Sequence, residues 1–451
     1  MSWIKAISFF IIAFLLFFLV GCGGFDSGKK TFSFNINIIG EGEVEVIDVV
    51  EPKTEEYKKD SVIFLRAEPS EGWEFINWSG DGDGTSPAIS VTLDRDKEII
   101  AEFDFDRDGE FAGGNGSGNE PFLVGNEEQL NNVRNNLSAN FKQIAHIDLT
   151  AFSGGLGWKP IGDGDNPFSG TYDGNGFTIT NLKIERTVHT TPDNSNIGLF
   201  GYSGEDSKLI GIVLEGVNIK GHSCVGAIAG RGNGTIENCL VSGMVVADGY
   251  WAGGIIGLNE GIIKLCRADV ESKSNYYFAG GLAGENQGEI KLSYAIGTVE
   301  VAVNNAGGLV SRNYGEIENS YSRGSVLGKN FLGGLVGYNL GTIKNSFSTG
   351  TVKLISGDGP HLGGLVGSNS VEAEIISSYW DKLASEMENS DGGEGRTTPQ
   401  LQKGTPGAYI TPEGLADTGE DSNNLMYMDW DITIWDFGGD QDYPSLHGPE
   451  S

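Results

Sequence analysis

The sequence has little cysteine, little histidine and few basic residues. Its 451 residues include four cysteines and five histidines, and 30 Lys and Arg stand against 62 Asp and Glu, a formal net charge of −32. A field of that sign repels nucleic acid, so we expect no nucleic-acid partner. Four cysteines without a Cys-x-x-Cys pair exclude a disulfide scaffold and a cysteine-based zinc site.

Proline is also scarce, with 13 residues, whereas glycine is abundant, with 70. No three-residue glycine period is present, which excludes collagen. Hydrophobic residues make up 38% of the chain, too many for a disordered protein. We therefore expect the glycines to serve turns in a folded protein.

The N-terminus predicts export and lipidation. An apolar run from Ala6 to Val20 suits the hydrophobic region of a secretory signal better than a membrane span. It ends in Leu19-Val20-Gly21-Cys22, which resembles a bacterial lipobox. The resemblance implies that residues 1–21 are a signal peptide, that Cys22 is acylated, and that residues 22–30 form a tether. The alternative is an ordinary membrane anchor with a chance cysteine.

Residues 31–103 predict a small β domain, because apolar and polar residues alternate in "FSFNINII" and "VIFLRAEP". The segments Leu65–Pro69, Gly72–Phe75, Asn77-Trp78 and Ala101–Phe103 closely resemble the divergent internalin B-repeat family of bacterial surface proteins. The resemblance implies a β-grasp-like spacer or weak binder. We expect its aromatic residues to form the core, although an exposed tryptophan platform for carbohydrate is the alternative. These residues are Trp73, Phe75, Trp78 and Phe103.

Residues 104–119 have the composition of a linker. Its first part contains Asp104, Asp106 and Asp108 followed by Gly109, the carboxylate spacing and turn glycine of a calcium loop. Asn115 stands where such a loop carries a bidentate Glu, so the match is partial. Calcium is thus one expectation for this segment, and a solvated acidic linker is the other.

Residues 120–380 form a repeat array. Glycines recur at positions 226, 253, 280, 307, 333 and 363, giving spacings of 27, 27, 27, 26 and 30 residues. Each copy reads approximately Gly-Gly-Leu-Val-Gly, then Asn-x-Gly-x-Ile, then Ser-Tyr-Ser-x-Gly-x-Val. This repeat resembles the GLUG motif of bacterial surface proteins, adhesins and IgA-specific metallopeptidases.

Three strand-like pieces in about 27 residues predict one coil of a right-handed parallel β-helix, so the whole chain is expected to be all-β. Like positions would then stack in columns. An interior column is predicted at Ile236, Ile263, Ile290, Ile317 and Ile343. A column of amides is predicted at Asn259, Asn286, Asn313, Asn339 and Asn369.

Cys239 and Cys266 occupy the slot that later repeats fill with serine, and they fall on neighbouring coils. A disulfide between them is one interpretation. Two thiols are favoured, because in-register parallel neighbours give poor disulfide geometry.

Both ends of the array carry non-repeating sequence. A helix is predicted over residues 126–137, capped by Asn126, to cover the first coil. Residues 381–451 are expected to form a C-terminal cap or extension, in which aromatic residues pack over the last coil. These residues are Trp430, Trp435, Phe437 and Tyr443.

No HExxH, G-x-S-x-G or P-loop motif occurs, so we predict a protein without catalytic activity. The expected function is that of an adhesin or recognition lipoprotein at the outer membrane or cell surface, which binds an extracellular polysaccharide or protein. One alternative is a glycan-active lyase or glycosidase, and another is a purely structural envelope protein. The candidate carboxylates for an enzyme are Glu285, Glu289, Glu316 and Glu318.

Overall fold

The computed structural model describes residues 31–49, 57–188, 195–356, 359, 361–416, 425–439 and 441–447. They form two compact units that divide between Gly113 and Gly114. The regular structure is nearly all β-strand, which confirms the predicted fold class. None of the helices in these ranges has the length and apolar composition that a membrane crossing requires. The predicted signal peptide and Cys22 lie outside the described residues.

The first unit contains two three-stranded sheets and a short strand pair. One sheet has the order Phe34–Ile39, Lys97–Asp104, Glu74–Gly80, the other has the order Gly42–Val49, Ser61–Pro69, Ala88–Leu93, and the pair is Thr31–Phe32 with Tyr57–Lys58. In the strand Ser61–Pro69, the side chains point alternately into the core and towards solvent, as the alternating sequence predicts. Ile63 and Leu65 are fully buried, whereas Phe64 between them is 38% exposed.

Aromatic residues supply much of the core of this unit, as predicted. Trp78 and Phe103 are buried, while Trp73 and Phe75 are half-buried and pack against the same cluster. The ring of Trp73 lies 4.9 Å from that of Phe105. Trp73 and Trp78, the two tryptophans among the described residues of this unit, therefore serve packing.

The second unit is a parallel β-helix built from three sheets. The ten-stranded sheet comprises Phe122–Val124, Asn140–Gln143, Thr171–Asp173, Lys208–Ile210, Thr235–Glu237, Ile262–Lys264, Glu289–Lys291, Glu316–Glu318, Thr342–Lys344 and Glu374–Ile376. The seven-stranded sheet comprises Phe200–Ser203, Ala229–Gly232, Ile256–Asn259, Ala283–Asn286, Val310–Asn313, Val336–Asn339 and Val366–Asn369.

The nineteen-stranded sheet takes from one to three strands from each coil. It comprises Ile147–Asp148, Thr178–Thr180, Lys183–Arg186, Ser195–Ile197, Val213–Val225, Leu240–Gly253, Arg267–Ser274, Phe278–Gly280, Tyr294–Ala295, Val299–Val301, Asn305–Gly307, Tyr321–Ser322, Val326–Gly328, Leu332–Gly333, Phe347–Ser348, Val352–Leu354, Leu362–Gly363, Tyr379–Asp381 and Glu394–Arg396. A last strand pair is Trp435–Asp436 with Ser445–Leu446.

Helices are few and short in the described residues. The α-helices are Glu127–Asn132, Lys382–Ser385 and Thr398–Lys403, and the 3₁₀ turns are Val133–Asn135 and Leu149–Phe152. The first helix is shorter than the predicted one. Asn126 caps it as expected, accepting a hydrogen bond from the backbone N–H of Gln129 at 2.9 Å.

Each coil pairs in register with the next, and the predicted columns form. The isoleucines of the ten-stranded sheet are direct partners on successive coils and are almost fully buried. The recurring glycine of the repeat has a steric cause. A Cβ at Gly280 would lie 2.0 Å from the backbone oxygen of Ala283, and Gly253, Gly307 and Gly333 face the equivalent carbonyl at 1.9–2.0 Å.

The predicted amide column is a continuous hydrogen-bond ladder. The Nδ2 of Asn286 donates to the Oδ1 of Asn313 at 2.8 Å, and the Nδ2 of Asn313 donates to the Oδ1 of Asn339 at 2.8 Å. The ladder extends from Asn259 to Asn369. Each inner amide also donates to the carbonyl of the glycine two residues ahead, so its polar groups are satisfied although it is buried.

The C-terminal extension differs from the predicted cap. Its aromatic residues contact Tyr321, Phe347 and Tyr379, which belong to three consecutive coils. Trp435 Nε1 donates to Asn319 Oδ1, and Trp430 Nε1 donates to the carbonyl of Ser377. The extension therefore lies along the side of the last coils as well as at the end.

One prediction tests the stacking. Removing the 27-residue segment from Gly280 to Ala306 joins Ala279 to Gly307 in the same register, so we expect a folded, shorter β-helix. Removing only Gly280 to Ser293 shifts every later column and should abolish cooperative unfolding. Far-UV circular dichroism and thermal melting measure both. Equal tolerance of the two deletions would contradict the β-helix.

A second prediction tests the ladder. Asn313→Ala removes two ladder bonds and leaves the buried Oδ1 of Asn339 without its donor, so we expect a loss of roughly 2–4 kcal/mol in the free energy of unfolding. Asn369→Ala is the matched control. Asn369 is half-buried and ends the ladder with one such bond, so its loss should be roughly half as large. Denaturant unfolding gives both values, and equal losses would contradict the ladder's role.

Candidate functional site

Two neighbouring coils carry a group of aromatic side chains on the surface of the β-helix. We call it the aromatic face, and it consists of Tyr250, Trp251, Tyr276, Tyr277 and Phe278. Tyr276 is 48% exposed and Tyr250 is 38% exposed, and the other three are half-buried. Clustered exposed aromatics of this kind are unusual on a soluble protein unless they contact something.

The in-register pairing of the coils sets the geometry of the face. Tyr250 and Tyr277 stack with their ring centroids 5.1 Å apart and 11° between the planes, and Trp251 and Phe278 stack at 6.0 Å and 24°. Tyr276 meets Tyr277 edge-on at 4.4 Å. Such contacts hold the rings in fixed positions before any ligand arrives.

A buried carboxylate supports the face from the adjacent seven-stranded sheet. Glu285 is 4% exposed. Its Oε2 accepts a hydrogen bond from Trp251 Nε1 at 2.9 Å, its Oε1 accepts one from Gln287 Nε2 at 2.7 Å, and Arg312 Nη1 lies 3.6 Å away. The Arg312 guanidinium lies 5.1 Å from the centroid of the Phe278 ring. Glu285 therefore fixes the indole and the arginine, a positioning arrangement.

Of the four carboxylates considered for glycan cleavage, Glu289, Glu316 and Glu318 lie close together, with Glu289 and Glu316 as direct partners on neighbouring coils, and Glu285 lies apart from them. Glu285 is in the seven-stranded sheet, whereas Glu289, Glu316 and Glu318 are in the ten-stranded sheet. Lysines pair with all three of the latter. Lys291 lies 2.9 Å from Glu289 and 3.9 Å from Glu318, and Lys344 lies 3.1 Å from Glu316.

The predicted calcium carboxylates belong to the first unit. Asp104 Oδ1 accepts hydrogen bonds from its neighbour's backbone N–H and from Arg107 Nε, each at 2.9 Å. Asp106 Oδ1 accepts from the backbone N–H groups of Asp108 and Gly109. Among the described residues no group of three or more His, Cys, Asp or Glu side chains is arranged to hold a metal. Calcium binding here stays a prediction.

The segment around these aspartates is also packed. Phe105 and Phe111, in the stretch predicted as linker, are buried.

Cys224, Cys239 and Cys266 are buried free thiols in the structure. The Sγ of Cys239 lies 3.3 Å from the carbonyl of Glu237, and that of Cys266 lies 3.3 Å from the carbonyl of Lys264, the contact that Ser293 Oγ makes one coil later. Burial raises the pKa of Cys224 to about 12, and burial followed by the contact with Cys266 raises the pKa of Cys239. Cys239 and Cys266 are not bonded to each other here, and a disulfide between them in an oxidising compartment stays the less favoured alternative.

Sequence reasoning did not find the aromatic face. The signal was present, because Tyr250 and Trp251 recur 27 residues later as Tyr277 and Phe278. The next coil carries Asn304 and Asn305 at these positions, and the one after it carries Asn330 and Phe331, so an aromatic pair is not a regular part of the repeat.

Two family profiles match the chain. Residues 35–107 match the divergent InlB B-repeat domain, and residues 332–353 match the GLUG motif. Both agree with the resemblances found in the sequence.

Two curated proteins share part of this sequence. One, provisionally named a Gly-rich membrane protein, from Evansella cellulosilytica, is 41% identical over 138 residues, which is 29% of this chain. The other is Halomucin from Haloquadratum walsbyi, 32% identical over 151 residues, or 31% of this chain. The matched regions span 15% and 2% of the lengths of those relatives.

Two solved structures share the fold. One is the crystal structure of a protein provisionally named immunoglobulin A1 protease from Bacteroides ovatus, with a TM-score of 0.52 and 20% identity over 76% of this chain and 96% of that one. The other is named IgA1 protease, with a TM-score of 0.50 and 16% identity over 79% of this chain and 27% of that one. At this identity the likeness concerns the fold alone. The chain thus carries a divergent InlB B-repeat domain and a GLUG motif, and it shares its β-helical fold with these two structures.

Proposed function

We propose that this protein is a surface-anchored recognition lipoprotein whose β-helix binds an extracellular macromolecule, a polysaccharide or a protein, through the aromatic face. The observation that carries the proposal is the pair of exposed tyrosines, Tyr250 and Tyr276, on a rigid stack of rings. Tyrosine and tryptophan supply large contact areas at a low cost in conformational entropy.

The β-helix itself does not need these aromatic residues. Tyr277 pairs with the position of Asn304 on the next coil, and that coil folds in the same way. Trp251 also has a φ of 56°, and Asn196 has the same left-handed conformation at the equivalent corner two coils earlier. A bulky residue there costs roughly 1–2 kcal/mol, so backbone preference does not explain tryptophan at this corner.

Charge restricts the partner. The chain has a net charge of −32, and Arg312, beside the face, is held against the buried Glu285. Neutral or cationic partners are therefore favoured over anionic ones at this face. If calcium bound at Asp104, Asp106 and Asp108, it would bridge an anionic partner instead, and a chelator would weaken that binding.

The names of the similar proteins relate to the proposed membrane anchor and to the proposed partner. A membrane-protein name fits attachment through Cys22 to the bacterial envelope. A protease name suggests a peptide partner, although the match to one such protein covers 27% of its length. Cleavage is therefore measured together with binding.

The third prediction concerns the anchor. Cys22→Ser removes the thiol that accepts the lipid, so we expect unprocessed precursor to accumulate and the membrane-bound fraction of mature protein to fall to background. Labelled palmitate incorporation and membrane fractionation measure this. Ser27→Ala, in the predicted tether, is the control and should be processed normally. Normal processing and membrane partitioning of the Cys22 variant would show that the chain is not a lipoprotein.

The fourth prediction concerns the face. Tyr250→Ala combined with Tyr276→Ala should lower affinity for the macromolecule selected from an array of extracellular polysaccharides and proteins by about tenfold or more. Leu383→Ala, which removes a side chain that is 62% exposed outside the face, is the control and should bind normally.

Product formation is followed in the same assay. The proposal would be contradicted if the protein cleaves a bond of the ligand, if Glu316→Gln abolishes this cleavage, and if binding does not depend on the tyrosines. That result would favour the glycan-active enzyme.

A further inference from the structure

A pocket of about 870 Å³ lies near the N-terminal end of the β-helix, away from the repeats that match the GLUG motif. Three basic residues line it, Arg134, Lys159 and Arg186, together with a loop that contains Asp163 and Asp165. A volume of this size is typical of small-ligand sites and holds on the order of one to three sugar rings.

The three basic side chains have no carboxylate partner among the described residues. Arg134 is held in place by carbonyl groups, since its Nη2 donates to the oxygen of Lys159 at 2.9 Å and its Nε donates to that of Asn131 at 2.9 Å. The guanidinium also lies 5.3 Å from the centroid of the Trp158 ring. A fixed arginine with unused N–H groups is suited to a carboxylate.

The guanidinium of Arg186 has a hydrogen-bond donor without an acceptor among the described residues. Its Nε is buried and has no acceptor in the described structure. Burial lowers the pKa of Arg134, and the positive charge of the nearby Arg186 lowers it further. An anionic ligand beside the two guanidinium groups would offset the repulsion between their charges.

The two aspartates narrow the class of anion. Asp163 Oδ1 accepts hydrogen bonds from the backbone N–H groups of Asp165 and Asn166 at 3.0 and 2.8 Å, and both aspartates are exposed. Their negative charge disfavours two charges on one compact ion, as in sulfate, more than it disfavours single carboxylates on separate sugar rings. Ser195 and Asn196 also line the pocket, and their polar groups, like the remaining oxygens of the aspartates, are suited to hydrogen bonds with hydroxyl groups.

We propose that this pocket binds an acidic sugar, a saccharide residue that carries one carboxylate beside its hydroxyl groups. The carboxylate pairs with Arg186 and Arg134, and the hydroxyl groups meet the loop of Asp163. The site is separate from the aromatic face and does not rest on the proposed function.

Trigalacturonate is the probe that tests this site, with maltotriose as the neutral counterpart and inorganic sulfate as the simple anion. Isothermal titration calorimetry on the purified full-length protein should show trigalacturonate binding that weakens with added salt. Maltotriose should bind at least about tenfold more weakly, because a charge-assisted pair contributes a factor of this order.

Variants connect the binding to the pocket. Arg186→Gln should weaken trigalacturonate binding by about tenfold or more, and Arg186→Lys, which keeps the charge but loses the planar fork, should fall between it and the wild type. Lys208→Gln makes the same charge change at an exposed lysine outside the pocket and should change affinity less than about twofold. The double tyrosine variant of the aromatic face should bind trigalacturonate normally, so failure of either proposal is visible separately.

Three results would overturn the inference. They are unchanged binding by Arg186→Gln, equal binding of maltotriose, and displacement of trigalacturonate by sulfate at equal concentration, which would indicate an adventitious ion only. Circular dichroism and the melting temperature of each variant show whether the fold is intact. If Arg186→Gln does not fold, the affinity of Arg186→Lys for trigalacturonate is compared with that of Lys208→Gln. Equal affinities of these two variants would then overturn the inference.

Discussion

Every coil of the β-helix depends on in-register parallel pairing with the coil on each side. A shift of one residue would turn each buried side chain outward, so the length of the coil and the positions of its corners are tightly constrained. The glycines that recur every 26 to 30 residues satisfy this constraint, because a Cβ at Gly280 or its equivalents would collide with a backbone carbonyl. The glycine excess of the chain is thus a consequence of stacking.

The same stacking converts buried polar residues into stabilising ones. An asparagine amide buried alone would be costly, but Asn286, Asn313 and Asn339 each donate to one neighbour in the column and accept from the other. The serine slot works similarly, since the Ser320 hydroxyl accepts from the Ser293 backbone N–H and donates to a carbonyl on its own coil. Cys239 and Cys266 occupy this position with thiols, which make a longer and weaker contact with the carbonyl on their own coil.

The period of the sequence was sufficient to predict the β-helix and its columns, because stacking makes sequence spacing equivalent to spatial neighbourhood. The regions without a period were predicted less well. The first helix ends at Asn132, where a longer one was expected, and the C-terminal aromatic residues reach back to Phe347. The pocket at Arg134 and Arg186 could not be foreseen, because those residues come from separate, non-repeating segments that only the folded chain brings together.

This contrast also indicates where function resides in the chain. Residues that face inward are constrained by the pairing between coils, so substitutions at these positions mainly lower the stability of the fold. Positions that face outward, and the coil before the repeats become regular, are free to vary without disturbing the pairing. The aromatic face places five rings on two neighbouring coils, and the basic pocket concentrates positive charge on a strongly acidic chain. Neither feature is explained by the stacking of the coils, which is the physical reason for proposing a ligand for each of them.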